Sequence, residues 1–129
     1  MATKTLSASI DLKTTDNVIG IFDLDSVTAQ NLSYDDTVVS TASVTVPHGG
    51  SGLQIVAKVG ASAKVVYVWI KNMEAVGGNF VVLKNDDAQV WGRLLPGEWG
   101  FFPIALVAGF EAQADTADVI CEYAIFQTP

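Results

Sequence analysis

Cysteine is nearly missing: Cys121 is the only one in 129 residues. No internal disulfide framework can form and a cysteine-rich metal site is excluded, while a leftover thiol suits a reducing compartment. Histidine is equally scarce. His48 stands alone in the glycine-rich stretch PHGGSG (47–52), with no second ligand or nucleophile beside it. It cannot anchor a histidine-based zinc site or a catalytic triad of the usual kind, and it reads as a surface-loop residue. Positive charge is the third shortage: seven Lys/Arg face fourteen Asp/Glu, for a net charge of −7 and a pI near 4.3. Those cations (Lys4, Lys13, Lys58, Lys64, Lys71, Lys84 and Arg93) never cluster. Nucleic-acid binding needs several converging on phosphates, so no nucleic-acid partner is expected, and anionic membranes are disfavoured for the same reason.

Long hydrophobic runs are also missing. The longest nearly apolar stretch, GFFPIALVAGF (100–110), contains Pro103 and is about half of a membrane-spanning helix. The opening MATKTLSASIDLK alternates polar and apolar residues without the apolar block of a secretory leader. The expectation is a soluble protein, cytoplasmic at synthesis, with no membrane partner. Charge of either sign is low, at 16% of residues, against 50% hydrophobic; an average domain carries about 25% charged residues. A small protein, with much surface for its volume, resolves that mismatch by covering surface with other subunits or by a neutral Ser/Thr surface.

What is present has a period of two. Leu6, Ala8, Ile10 and Leu12 alternate with Thr5, Ser7, Ser9 and Asp11, as in a half-buried strand. TASVTV (41–46) places Ala42, Val44 and Val46 inward, and LQIVAKV (53–59) does the same with Leu53, Ile55, Ala57 and Val59. KVVYVWIKN (64–72) and VICEYAIF (119–126) are apolar on both faces and read as strands covered on both sides, the second cover coming from the other sheet, a long loop or another chain. NFVVLKN (79–85), a turn at Asp86–Asp87, AQVWGRLL (88–95) and EWGFFPI (98–104) lie between them. In the turn joining the last two, Pro96 and Gly97 suit the central positions of a type II turn, with Glu98 beginning the return strand in solvent. Residues 14–36 are the least regular, read as one strand near 18–22 followed by a long connection that could include a short helical turn. No window keeps helical spacing. The expectation is one all-β domain over residues 1–129, an antiparallel β-sandwich or jelly roll of about eight or nine strands. The N-terminal strand within residues 1–13 could serve as an arm on neighbouring copies.

Chemistry is hard to find. Asp23, Asp25, Asp35 and Asp36 form the densest carboxylate group but lack the glycine and closing glutamate of an EF-hand loop; they read as solvated side chains, with a bound structural cation as the alternative. No two carboxylates are marked out for glycoside hydrolysis. Cys121, alternating with Val119 and Tyr123, reads as a buried structural thiol. PHGGSG lacks the Lys-Ser/Thr and the helix of a phosphate loop. Asn31-Leu32-Ser33 is a formal glycosylation sequon that means nothing without a secretory route. Tyr67, Trp69, Trp91, Trp99, Phe101 and Phe102 could make a sugar-stacking platform if several line one exposed face; otherwise they pack in a core or an interface. No catalytic, cofactor-binding or metal residue is assigned, and no enzyme is expected.

Three pieces in order, VYVWIKN (66–72), LLPGEWGFFP (94–103) and CEYAIF (121–126), resemble small β-sandwich virion proteins of tailed bacteriophages, of the head decoration or cement type. They cover about half the chain, residues 64–127; the first half carries no matching motif. The resemblance implies a structural, commonly trimeric protein of the particle, with no catalytic residues to transfer. The expected partners are other copies of itself and the major capsid protein or another virion protein. The expected location is the outer surface of the capsid, after a stay in the host cytoplasm. The alternative is a tail- or fibre-associated receptor- or carbohydrate-binding module.

Overall fold

A computed structural model of the chain describes residues 3–8, 30–35 and 40–127. They form ten strands: β1 (Thr3–Ala8), β2 (Gln30–Asp35), β3 (Ser40–Val46), β4 (Leu53–Val56), β5 (Val65–Asn72), β6 (Val81–Lys84), β7 (Val90–Leu94), β8 (Trp99–Ala105), β9 (Phe110–Ala114) and β10 (Val119–Gln127). The molecule is all-β, as its period-two pattern requires, with two antiparallel four-stranded sheets packed as a sandwich. Their strand orders are β3-β10-β5-β8 and β4-β9-β6-β7, and β1 and β2 pair separately.

The topology follows from one operation. β3 pairs with β10, β4 with β9, β5 with β8, and β6 with β7. These are four nested pairs of a single long hairpin folded between β6 and β7. Two further ladders, β10 with β5 and β9 with β6, roll that hairpin into two sheets. The result is a jelly roll. At the fold point, Asn85 Oδ1 accepts the backbone N–H groups of Asp87 (3.0 Å) and Gln89 (2.9 Å), in an Asx-type turn.

The core lies between the sheets. Val66, Val68 and Ile70 of β5, Val119 and Cys121 of β10, and Val46 of β3 meet Val81 and Leu83 of β6 and Phe110, Ala112 and Ala114 of β9. The Pro-Gly corner has the expected geometry: Gly97 sits at φ +80°, and Glu98 N–H donates to the Leu95 carbonyl at 3.0 Å. Glu98 is exposed as read, and its carboxylate additionally accepts the Leu95 N–H at 2.7 Å.

Two expectations need correction. The inward alternation assigned to residues 53–59 breaks, because the β4–β9 register shifts between Gln54 and Val56. One extra residue in a strand reverses which side chains face in, so Val56 is buried, β4 stops there, and Val59 is exposed. Within the stretch read as a long connection, residues 30–35 form a strand, with Thr3 opposite Asp35 and Ala8 opposite Gln30. Its mixed, largely polar sequence hides a strand that pairing with β1 creates. The strand expected near residues 18–22 lies outside the described residues, as do Ile10 and Leu12.

Candidate functional site

The functional candidate is a sheet face. β5 alternates strictly: Val66, Val68, Ile70 and Asn72 are buried, and Val65, Tyr67, Trp69 and Lys71 point away from the core, half-buried. β8 runs beside it with Trp69 opposite Phe101, Tyr67 opposite Pro103 and Lys71 opposite Trp99. β10 flanks the other side, with Glu122 opposite Lys71 and Ala124 opposite Trp69. Four of the six aromatics singled out in the sequence therefore share the outward face of one sheet. Tyr67 and Phe101, diagonal neighbours, stack with centroids 5.8 Å apart and an interplanar angle of 11°. Trp99 remains 54% exposed, and Ile120 and Met73 continue the apolar field at one end, both exposed.

Within one copy of the chain, β5 and β10 are fully covered on one face and largely half-buried on the other, so the second sheet does not supply the second cover these strands are expected to have. The reason is sheet geometry: alternate residues face opposite ways, and the second sheet can pack against only one of the two faces. Among the described outward positions of β10, β5 and β8, Lys71 and Glu122 are the only charged residues, and they sit directly opposite each other. On the adjoining β3, Ser43 and Thr45 are exposed and polar.

The other sheet turns a polar surface away from the core. Lys84 Nζ donates to Gln113 Oε1 at 2.8 Å and lies 3.9 Å from Glu111 Oε2, with the two charged side chains only 7% and 11% exposed. Burial, followed by a hydrogen bond with Asp86, pushes the Glu111 carboxyl above its usual range, against the pull of Lys84. Gln54 ties Asp86 into the same network at 2.9 Å. Gln113 in turn donates to the carbonyls of His48 and Gly50, holding the β3–β4 loop.

The remaining aromatics lie elsewhere. Trp91 meets Phe102 edge-on at 4.9 Å and Phe110 at 5.6 Å, beside an open, mostly apolar cleft of about 340 Å³. His48 lies in an exposed loop as read, but with a partner no sequence spacing suggests. Its Nδ1 is 2.5 Å from Asp118 Oδ1, and its backbone N–H donates to the same oxygen at 3.1 Å. Those contacts hold the Asp118 carboxyl below its usual range.

Cys121 is fully buried on the inward face of β10. Burial, reinforced by the Glu74 charge, pushes its thiol up to about 11, far from a thiolate nucleophile. Asp23, Asp25 and Asp36 lie outside the described residues; Asp35 ends β2, and the sequon Asn31–Ser33 falls within that strand. Among the described residues no group of three or more His, Cys, Asp or Glu is placed to hold a metal ion. Neither a scan of protein-family models nor a search of curated proteins finds a match to this chain.

Proposed function

We propose that this protein is a structural subunit of a bacteriophage virion, a capsid decoration or cement protein that works as a homo-oligomer. The observation that carries the reading is the outward β10-β5-β8 face, where Tyr67, Trp69, Trp99 and Phe101 form an aromatic field holding one charged pair. Soluble monomers rarely expose large contiguous apolar patches, and such patches mark contact surfaces. The jelly roll supports the reading as a rigid block able to present that face, though a fold alone names no function. The work is mechanical. Copies bridge neighbouring shell subunits, and each Å² of apolar surface removed from water contributes roughly 25 cal/mol, repeated over many sites of a shell under internal pressure. An acidic outer layer stays clear of the packaged genome. No catalytic step, cofactor or metal enters this reading.

The test is attachment to capsids of the encoding phage prepared without this protein. Saturable binding at regular lattice positions, with greater resistance of the shell to heat, is expected. A protein that never binds the shell at any concentration sinks the proposal.

The same aromatic field favours a second reading, a receptor- or carbohydrate-binding module of a tail or fibre. Sugar sites combine open aromatic faces with polar groups that fix hydroxyls. Here Tyr67 and Phe101 cover one another and only Lys71 and Glu122 supply charge, so this reading ranks second. Specific retention on a glycan surface, without capsid attachment, would put it first.

A further inference from the structure

We infer that Lys84 and Gln113 become joined by an isopeptide bond between β6 and β9, formed by the chain on itself with Glu111 as proton shuttle and ammonia as leaving group. The inference goes beyond the reading above and does not rest on it: it concerns the other sheet, and a covalent bond rather than a contact surface.

Placement is the first argument. In the β6–β9 ladder Lys84 stands opposite Glu111 and Val82 opposite Gln113, so Lys84, Glu111 and Gln113 share one face, with Lys84 and Gln113 as diagonal neighbours. The Lys84 amine donates to Gln113 Oε1 at 2.8 Å, and a C=O bond of about 1.2 Å keeps Gln113 Cδ within roughly 4 Å of it. The same amide is pinned at its other end, where Nε2 donates to the carbonyls of His48 at 3.2 Å and Gly50 at 3.1 Å. Nucleophile and carbonyl carbon are thus held side by side, and such holding is worth an effective concentration of about 10⁵ M or more once the geometry nears attack. The third group is Glu111, its Oε2 3.9 Å from the Lys84 Nζ, with both charged side chains almost wholly buried.

The chemistry closes on these three side chains. Glu111 takes a proton from the Lys84 ammonium, and the free amine attacks Gln113 Cδ. Glu111 passes its proton to the leaving Nε2 and takes one from the attacking nitrogen. The Cδ–Nε2 bond then breaks, ammonia departs, and an Nζ–Cδ amide remains with Glu111 protonated. Burial drives the exchange. An ion pair taken out of water is costly, and the product replaces both charges with a neutral amide and a neutral carboxyl. Burial and the hydrogen bond with Asp86 already push the Glu111 carboxyl above its usual range, the direction that keeping this proton requires. Ammonia leaves beside the exposed loop at His48 and Gly50, and its dilution into solvent makes the step one-way.

The experiment is intact-mass spectrometry of the full folded chain after prolonged incubation. Wild type is expected to be lighter by one ammonia than the unlinked chain. Lys84→Arg, which keeps a cation beside Glu111 but has no nucleophilic amine, is expected to keep its full mass. Glu111→Gln should slow the linkage roughly hundredfold or more. Trypsin supplies the position: cleavage after Lys84 should be lost, and residues 72–93 should appear joined to residues 94–129. A folded wild type at its full sequence mass overturns the inference without any variant, so the test survives a variant that fails to fold. Loss of one water in place of ammonia would join Lys84 to a carboxyl and overturn the assignment to Gln113. Loss of ammonia that persists in Lys84→Arg, or linkage at an unchanged rate in Glu111→Gln, overturns it as well.

Discussion

The side-chain amide of Asn72, at the end of β5 in one sheet, donates to the backbone carbonyl of Leu94, at the end of β7 in the other, across 3.1 Å. Its second contact is the Asn79 carbonyl at 3.0 Å, and its Oδ1 accepts the Glu74 N–H at 3.0 Å. Asn72 is fully buried, so this one side chain satisfies three backbone groups and ties the two sheets at the same end as the Pro-Gly corner.

Replacing Asn72 with Ala should therefore cost about 3 kcal/mol, the range for orphaning buried polar groups. Asn72→Asp should cost more, although it is nearly the same shape, because a carboxylate facing two carbonyl oxygens can donate to neither. Denaturant midpoints of the two variants check the order.

Two turn glycines make a graded pair. Gly97 (φ +80°) has open space where a Cβ would stand, whereas at Gly52 (φ +86°) a Cβ would lie 2.5 Å from the Ala112 carbonyl oxygen. Gly97→Ala should lose about 1 kcal/mol, from backbone strain alone. Gly52→Ala adds a backbone clash and should lose more than about 2 kcal/mol. Equal losses in thermal melts would show that the Ala112 contact relaxes freely.

Lys84 and Glu111 form a buried pair, so removing one charge should cost more than removing both. Lys84→Met, which leaves the Glu111 carboxylate buried without its counter-charge, should destabilise more than the double variant Lys84→Met/Glu111→Leu, and denaturant midpoints check that order. The pH dependence has a defined sign. Glu111 has a folded-state pKa raised above the ordinary 4.5. Its stabilising contribution is thus fully present below 4.5 and is lost as pH rises through the raised value. Glu111→Gln should flatten that part of the stability curve.

Asp118 works in the opposite direction. His48 lowers its carboxyl below the ordinary 3.8, so its contribution is present above 3.8 and is lost as pH falls through the depressed folded value. Asp118→Asn should remove that acid-side loss and leave the slope attributed to Glu111 intact. Unfolding curves measured from pH 2 to pH 6 separate the two groups, and an unchanged acid limb in Asp118→Asn would contradict the assignment.

Much of the sandwich was legible in the chain because alternation is a local property. β3, β5 and β10 reveal themselves through Val44 and Val46, Val66 to Ile70, and Val119 to Tyr123, and the corner at Pro96-Gly97 follows from the φ preferences of two adjacent residues. The candidate face was half legible. The aromatics were conspicuous, but whether they converge depends on β5–β8 register, which places Trp69 opposite Phe101.

Residue order along the chain thus settled which segments extend and where they turn, since side-chain direction and backbone preference act over a few residues. Tertiary structure alone decided the rest: the bulge that turns Val56 inward, the pairing that makes a strand of residues 30–35, the meeting of His48 with Asp118, and the gathering of Tyr67, Trp69, Trp99 and Phe101 on one face. Each depends on partners distant in the chain, and their proximity arises only when the nested hairpin rolls into two sheets.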